Sequence, residues 1–275
     1  MGFFANLKKK RTIKSNNESK QSMLHKNLKF AAKEQYKQIR ENLSFVLPQD
    51  EKSYVIGVTS SVRGEGKSTT VINLASVLAE KDKTVLIIDA DLRIPTIAKK
   101  LGIEKTPGLS NFLVGKTEKA PIYSSNINEK LFILPSGDIP PNPSELLGSE
   151  RMARFVEKLR DSFDFVIIDT PPVNLVSDAL ALSPVLSGLI VVTRESFTEK
   201  RELKRCFRQL KLSEVKVLGT ILNDASEDHA KNYRKSKYRY YRKSDYLKTD
   251  YLTPKPEDGN NADVTDNVGN DEKKD

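Results

Sequence analysis

Residues 54–69 read YVIGVTSSVRGEGKST, an apolar run followed by a turn that contains two glycines. The β-branched segment Tyr54–Val58 favours a buried strand, and the segment Thr70–Glu80 is compatible with a helix. A strand, a turn and a helix in this order predict a phosphate-binding loop, because backbone N–H groups and the positive end of the helix then face one anion. Gly64 and Gly66 lack side chains, so the backbone can wrap that anion closely.

The end of this loop supplies groups that a nucleotide requires. Lys67 can reach the β- and γ-phosphates, and the Ser68 hydroxyl can bind Mg²⁺. The match to G-x-x-x-x-G-K-[ST] is incomplete, because Ser61 stands at the first glycine position. The alternative is an ordinary strand-to-helix turn with a surface lysine. We expect the following loop residues to line the nucleotide: Ser61, Arg63, Gly64, Glu65, Gly66, Lys67, Ser68 and Thr69.

The net charge of +9 is distributed unevenly along the chain. Residues 1–33 contain nine Lys and Arg against one Glu, and residues 231–251 contain eight basic and two acidic residues. Residues 252–275 contain three basic and seven acidic residues, which leaves residues 34–230 at −1. A nearly neutral fold disfavours nucleic-acid binding. The basic arm can contact anionic lipid or an acidic partner, or it can simply be solvated.

Composition divides the chain into four parts. We expect a basic disordered arm at 1–27, a folded domain at 28–230, a tyrosine cluster at 231–251 and an acidic disordered tail at 252–275. The single cysteine excludes an intramolecular disulfide and fits a reducing cytosol. The longest uncharged, apolar-leaning run covers residues 179–193 and is too short to span a bilayer, so we expect a soluble, cytoplasmic chain.

Further apolar runs alternate with helical segments after the phosphate loop. Thr84–Ile88, Leu131–Leu134, Phe165–Ile168, Leu189–Val192 and Val215–Leu222 favour strands. Strands that alternate with helices predict a doubly wound, mostly parallel α/β sheet of the P-loop NTPase type. Ligands of such sheets bind at the carboxyl ends of the strands.

Acidic residues follow two of these strands. Asp89 and Asp91 follow one strand and Asp169 follows another, so we expect these carboxylates beside the phosphate loop. A buried carboxylate needs a cation or a donor, and Mg²⁺ bound with ATP is the natural partner. One of Asp89 and Asp91 can bind metal while the other accepts a proton from an incoming hydroxyl. Arg93 can steady the phosphates or pair with an aspartate; a capped strand end is the alternative.

Six of the nine tyrosines lie within residues 233–251, among Lys and Arg. They are candidate phosphate acceptors: Tyr233, Tyr238, Tyr240, Tyr241, Tyr246 and Tyr251. A phenol with a pKa of about 10 needs a positioned base to act as a nucleophile at neutral pH. The alternative is an aromatic, basic tail that binds RNA or a membrane.

The chain resembles the bacterial tyrosine kinases of the cytoplasmic, separate-chain type (CpsD/CapB-like). The resemblance is carried by VTSSVRGEGKST, LIIDADLR and VIIDTPP as the Walker A, A′ and B motifs, by GDIPPNPSELL, and by the tyrosine cluster. It implies a protein-tyrosine kinase that uses ATP and Mg²⁺ and phosphorylates its own cluster in trans. The resemblance implies that Ser68, Asp89, Asp91 and Asp169 supply the metal ligands and the catalytic base. It also implies that Lys67 binds the phosphates and that Asn223 contacts the nucleobase of ATP.

The resemblance also implies partners. A predicted helix over Leu28–Val46 carries Glu34-x-x-Lys37-x-x-Arg40, which looks like the family's ExxRxxR ring-forming motif with lysine in the middle. A solvated helix face is the alternative. Family members of this type associate with a membrane-embedded polysaccharide co-polymerase adaptor, which recruits them to the inner face of the membrane. Together they regulate capsular and exopolysaccharide synthesis, and other tyrosine-phosphorylated substrates are expected.

The main rival is a ParA/MinD-like ATPase switch without kinase activity, which shares the fold and the aspartates. That group normally has a lysine just after the first glycine position, where Val62 stands here, followed by Arg63. It also lacks a tyrosine cluster. A third interpretation is an RNA- or membrane-binding module that acts through the basic tails.

Overall fold

The structure is a computed structural model that describes Leu24 and residues 28–226. Apart from Leu24, the predicted disordered arm lies outside these residues, as do the tyrosine cluster and the acidic tail. The strands of the described part are β1 (Tyr54–Ser60), β2 (Val85–Asp89), β3 (Tyr123–Ser124), β4 (Leu131–Leu134), β5 (Phe165–Asp169), β6 (Gly188–Arg194) and β7 (Val217–Asn223).

The helices lie between these strands or before them. They are α1 (Phe30–Val46), α2 (Lys67–Ala79), α3 (Ile97–Leu101), α4 (Leu109–Leu113), α5 (Pro143–Leu147), α6 (Glu150–Arg160), α7 (Asp178–Ala181) and α8 (Lys200–Leu212). A 3₁₀ turn covers Ser183–Val185. Within the described residues, no helix has both the length and the apolar character needed to cross a bilayer.

In the described part of the chain, the strands form one sheet in the order β3-β4-β2-β5-β1-β6-β7. The β3–β4 pair is antiparallel and the other pairs are parallel. The predicted doubly wound, mostly parallel sheet is therefore confirmed. The sequence did not predict β3, because a two-residue strand has no periodicity to detect.

The two faces of the sheet are covered by different helices. Ile56 and Val58 of β1 pack with α2 on one face, whereas Val55 packs with α6 on the other. Both faces are buried along β1, β2 and β5, which explains why these strands read as continuous apolar runs, whereas the edge strand β7 is partly exposed. Fully burying each such aliphatic side chain contributes about 1.5–3 kcal/mol.

Helix α1 packs against α2 and shields it from solvent. Leu43 is buried, and Tyr36 and Ile39 pack partly against the same core. Val46, the last residue of the helix, is 44% exposed. The helix ends there, and the extended backbone at Leu47 directs that residue into the core instead.

The strand order brings three chain segments to one edge. The sheet places β2, β5 and β1 side by side, so the loop after β1 adjoins the residues that end β5 and β2. Asp89 lies opposite Asp169 in the register, and Val58 lies opposite Asp169 on the other side. The two carboxylates therefore stand at the same level of the sheet, below the start of the loop.

Candidate active site

The loop between β1 and α2 has a backbone that only glycine adopts without strain. Gly64 and Gly66 have φ values of 90° and 93°. A Cβ atom on Gly66 would lie 2.0 Å from Nδ2 of Asn223. The loop therefore needs glycine at this position for both its conformation and its close contact with the end of β7.

The Glu65 carboxylate points into the protein. Its side chain is 1% exposed, and its oxygens accept hydrogen bonds from Ser61 Oγ and the Val62 N–H, each at 2.9 Å. The Thr198 hydroxyl donates a third hydrogen bond. Sequence reasoning assigned Glu65 to the nucleotide but did not find Thr198, which lies 133 residues along the chain.

Lys67 lies among carboxylates at the edge of the sheet. Its Nζ is 2.9 Å from Asp91 Oδ2 and 3.6 Å from Asp169 Oδ1. The Lys67 side chain is 12% exposed, against 7% for Asp91 and 0% for Asp169. Burial alone would lower the pKa of Lys67, but the negative charges of Asp169 and Asp91 outweigh it and raise that pKa. Lys67 is therefore a charged ammonium at neutral pH.

Asp89 and Asp169 are buried acids on neighbouring strands. Burial and the nearby Asp169 raise the pKa of Asp89 well above its ordinary value. Burial also raises the pKa of Asp169, although Lys67 opposes the rise. Asp89 Oδ2 accepts a hydrogen bond from the Ile97 N–H at 3.0 Å, whereas its Oδ1 and both oxygens of Asp169 meet no donor within hydrogen-bond distance, Asp169 Oδ1 having only the Lys67 ion pair at 3.6 Å. These unmatched oxygens fit a cation.

The donor set fits Mg²⁺ together with a phosphate rather than metal alone. Among the described residues, no group of three or more His, Cys, Asp or Glu side chains is arranged to hold a metal ion. Mg²⁺ commonly binds through one or two carboxylates together with substrate phosphates and water. Ser68, 7% exposed at the start of α2, adds a hydroxyl beside Asp169.

Arg93 forms a bridge between loops at the same edge. Its Nε and Nη2 donate to the two oxygens of Asp178 at 3.0 and 3.1 Å, and Nη2 also donates to Ser144 Oγ at 3.2 Å. Asp178 is fully buried and also accepts the Ser144 hydroxyl at 2.5 Å. Sequence reasoning missed Asp178, since one acidic residue at the start of a short helix gives no distinctive signal.

Asn223 ends β7 beside the phosphate loop. Its Nδ2 donates to the Glu65 backbone carbonyl at 3.0 Å. The next residue, Asp224, accepts from Arg194 Nε and Nη2 at 3.1 and 2.9 Å. The ends of β6 and β7 are thus joined to each other and to the loop.

The Glu34, Lys37 and Arg40 row lies on α1. Lys37 donates to Glu34 at 2.8 Å. Arg40 donates to the Val77 carbonyl of α2 at 2.7 Å and also to Glu41. Lys37 and Glu34 remain accessible, with side chains 36% and 39% exposed.

The predicted phosphorylation sites lie outside the described residues: Tyr233, Tyr238, Tyr240, Tyr241, Tyr246 and Tyr251.

The site combines a loop whose glycines have positive φ, a helix that begins directly after the loop, and a lysine among buried aspartates at the ends of strands. This combination defines the class of P-loop nucleotide-binding proteins. A family model described as an AAA domain matches residues 53–216. The tyrosine-protein kinase YwqD of Bacillus subtilis is 39% identical over 208 residues, which cover 76% of this chain and 85% of that protein. The tyrosine-protein kinase CpsD of Streptococcus agalactiae is 36% identical over 200 residues, 72% of this chain and 84% of that protein.

Solved structures agree with these relatives. The kinase domain of the Escherichia coli tyrosine kinase ETK superimposes with a TM-score of 0.66 at 31% identity, covering 71% of this chain and 78% of that chain. The MinC:MinD complex of Aquifex aeolicus, at 24% identity and a TM-score of 0.54, covers 66% of this chain and 72% of that one and shares the fold alone. The chain belongs to the family of bacterial tyrosine-protein kinases.

Proposed function

We propose that this chain is an ATP-dependent protein-tyrosine kinase that phosphorylates its own tyrosine cluster, residues 231–251, in trans. The observation that carries the proposal is the placement of Lys67 among Asp91 and Asp169 beside a glycine-shaped loop. Together with Asp89, these residues supply the positive charge and the carboxylates that phosphoryl transfer to a hydroxyl requires.

The residues have separate roles in the proposed reaction. The loop 61–69 and Lys67 bind the phosphates of ATP. Arg93 lies at the rim of the phosphate site, and Asn223 faces the nucleobase of ATP. Ser68, Asp89 and Asp169 hold Mg²⁺, which neutralises charge on the phosphates when it is bound. The unmatched oxygens of Asp89 and Asp169 support this assignment.

We assign Asp91 as the base that accepts the phenolic proton. Its side chain is 7% exposed, whereas those of Asp89 and Asp169 are completely buried. Asp91 Oδ1 is oriented by the Ile94 N–H at 3.0 Å, and its Oδ2 contacts Lys67. When Lys67 turns to the phosphates, Asp91 Oδ2 becomes available to the acceptor hydroxyl.

The acceptor assignment rests on the composition of residues 231–251. That segment carries eight basic residues against two acidic ones, so a site lined by carboxylates attracts it. A phenol has an ordinary pKa of about 10 and needs a base to react at neutral pH, which Asp91 supplies. Other proteins that present an accessible tyrosine are further substrates.

We further propose a ring of subunits and a membrane adaptor. Glu34 and Lys37 present accessible charged groups on α1, whereas Arg40 is partly occupied by contacts with Val77 and Glu41. A membrane-embedded polysaccharide co-polymerase would recruit the cytoplasmic kinase to the inner face of the membrane. The pair would then control capsular or exopolysaccharide synthesis, as the family resemblance implies.

The test is incubation with Mg²⁺-ATP followed by an anti-phosphotyrosine blot. We expect a strong signal for the wild-type chain and none for Lys67→Met, because the phosphate-binding ammonium is lost. A Lys81→Met variant, which removes a lysine whose side chain is 55% exposed, should retain the signal. ATP hydrolysis by the wild type without any phosphotyrosine would instead support the ParA/MinD-like ATPase, whose fold this chain shares.

A further inference from the structure

The Glu65 carboxylate is a buried acid inside a loop that we assign to negatively charged phosphates. Burying a carboxylate at 1% exposure is unfavourable unless hydrogen bonds replace its water. Three donors do so here: Ser61 Oγ, the Val62 N–H and the Thr198 hydroxyl. Two of them belong to the loop itself, and the third comes from the segment that precedes α8.

The first two hydrogen bonds fix the turn where the loop departs from the glycine pattern. Ser61 occupies the first glycine position and is fully buried, and its hydroxyl donates to Glu65 Oε1 at 2.9 Å. Glu65 Oε2 accepts the Val62 N–H at 2.9 Å. The carboxylate therefore closes a ring over residues 61–65 and holds this half of the loop in one conformation.

The third hydrogen bond attaches the loop to the end of β6. Thr198 Oγ1 accepts the Arg194 N–H at 2.8 Å, so its own proton is directed to Glu65. On the other side, Asn223 at the end of β7 donates to the Glu65 carbonyl at 3.0 Å. The side chain of Glu65 is thus held by the segment that follows β6, and its backbone by the end of β7.

We infer that Glu65 is a positioning residue: its hydrogen bond with Thr198 presets the phosphate loop for the nucleotide, while the carboxylate itself contacts only protein groups. This inference rests on the nucleotide-binding part of the proposed function. It makes Thr198, 133 residues distant in sequence, a determinant of ATP affinity. A loop that is already ordered loses less conformational entropy when it binds phosphate.

The test compares Thr198→Val with Thr198→Ser, because valine keeps the shape of threonine without the hydroxyl and serine keeps the hydroxyl. We expect Thr198→Val to raise the Kd for Mg²⁺-ATP about tenfold, the effect of losing one hydrogen bond to a charged group. The kcat at saturating ATP should change less than about twofold, because Lys67 and Asp91 are untouched. Thr198→Ser should bind Mg²⁺-ATP nearly as well as the wild type.

Thermal unfolding without nucleotide separates positioning from a general loss of stability. A second variant, Ser61→Ala, removes a different donor to the same carboxylate and should raise the Kd in the same direction. Unchanged Kd values in Thr198→Val and Ser61→Ala would overturn the inference, as would an equal loss of affinity in Thr198→Ser. Failure of the wild-type chain itself to bind Mg²⁺-ATP would instead refute the nucleotide site on which the inference depends.

Discussion

Replacement of Lys67 by methionine tests the electrostatics of the site without nucleotide. Lys67 Nζ lies 2.9 Å from Asp91 and 3.6 Å from Asp169, and none of the three side chains is more than 12% exposed. At an effective dielectric constant of about 20, these attractions are about 6 and about 5 kcal/mol, and desolvation offsets much of them. Removing one partner of a buried pair costs about 3–5 kcal/mol, because the remaining charge is uncompensated. We therefore expect Lys67→Met to lose about 3–5 kcal/mol of unfolding free energy.

The assay is urea unfolding of the metal- and nucleotide-free protein at neutral pH. For a domain of this size the loss corresponds to a melting temperature lower by roughly 6–20 °C. Lys81→Met is the matched control: Lys81 pairs with Glu41 at 2.8 Å, but the two side chains are 55% and 44% exposed. That exposed pair should contribute less than about 1 kcal/mol.

The double variant Lys67→Met/Asp91→Asn tests whether uncompensated negative charge causes the loss of stability in Lys67→Met. Neutralising Asp91 removes part of the uncompensated negative charge, so the double variant should be more stable than Lys67→Met alone. If Lys67→Met unfolds at the same urea concentration as the wild type, the carboxylates around Lys67 are solvated and the buried cluster is wrong.

Three further perturbations test other parts of the site. Burial and Asp169 raise the folded pKa of Asp89 above its unfolded value, so keeping Asp89 buried costs stability at neutral pH, and this penalty fades as pH falls from the raised folded pKa toward the unfolded one. Asp89→Asn should therefore stabilise the nucleotide-free protein against urea at neutral pH and lose that advantage at acidic pH; an advantage independent of pH would contradict this. In Gly66→Ala, alanine must adopt a φ of 93°, and its Cβ would lie 2.0 Å from Asn223 Nδ2. The variant should therefore lose about 1–3 kcal/mol of unfolding free energy in urea and bind Mg²⁺-ATP more weakly. Gly219→Ala, with no atom within 4 Å of its added Cβ, is the control, and an equal loss there would refute the steric argument. Arg93→Ala leaves the fully buried Asp178 without its ion-pair partner; because Arg93 is 39% exposed and solvent screens the pair, the cost should be about 1–3 kcal/mol, a loss that Arg93→Ala/Asp178→Asn partly restores. No loss in thermal unfolding would show that the bridge is unimportant.

The fold was predictable because its signals are local. Apolar runs predict the parallel strands, and the rule that such strands end at one edge predicts that Asp89 and Asp169 lie together, as their pairing in the sheet confirms. The antiparallel strand β3 escaped prediction, because two residues of partial burial leave no pattern.

The supports of the site were not predictable, because they join distant segments. Asp178 meets Arg93 across 85 residues, and Thr198 meets Glu65 across 133. Each is an ordinary polar residue in its own neighbourhood, so only tertiary packing gives it a role. The same reason explains why the role of the Glu65 carboxylate was not predictable. Its place inside a phosphate-loop motif suggested a contact with the nucleotide, but the carboxylate accepts hydrogen bonds from protein donors.

The central claim is that the site transfers phosphate to a tyrosine of another copy of the chain. The most direct measurement mixes a tagged Lys67→Met chain, which keeps its tyrosines, with an untagged chain in which all six cluster tyrosines are changed to Phe, and then adds γ-labelled ATP and Mg²⁺. We predict that label appears on tyrosines of residues 231–251 of the tagged chain and that neither chain is labelled there alone. Label absent from the tagged chain, while the untagged chain still binds ATP, would contradict the account.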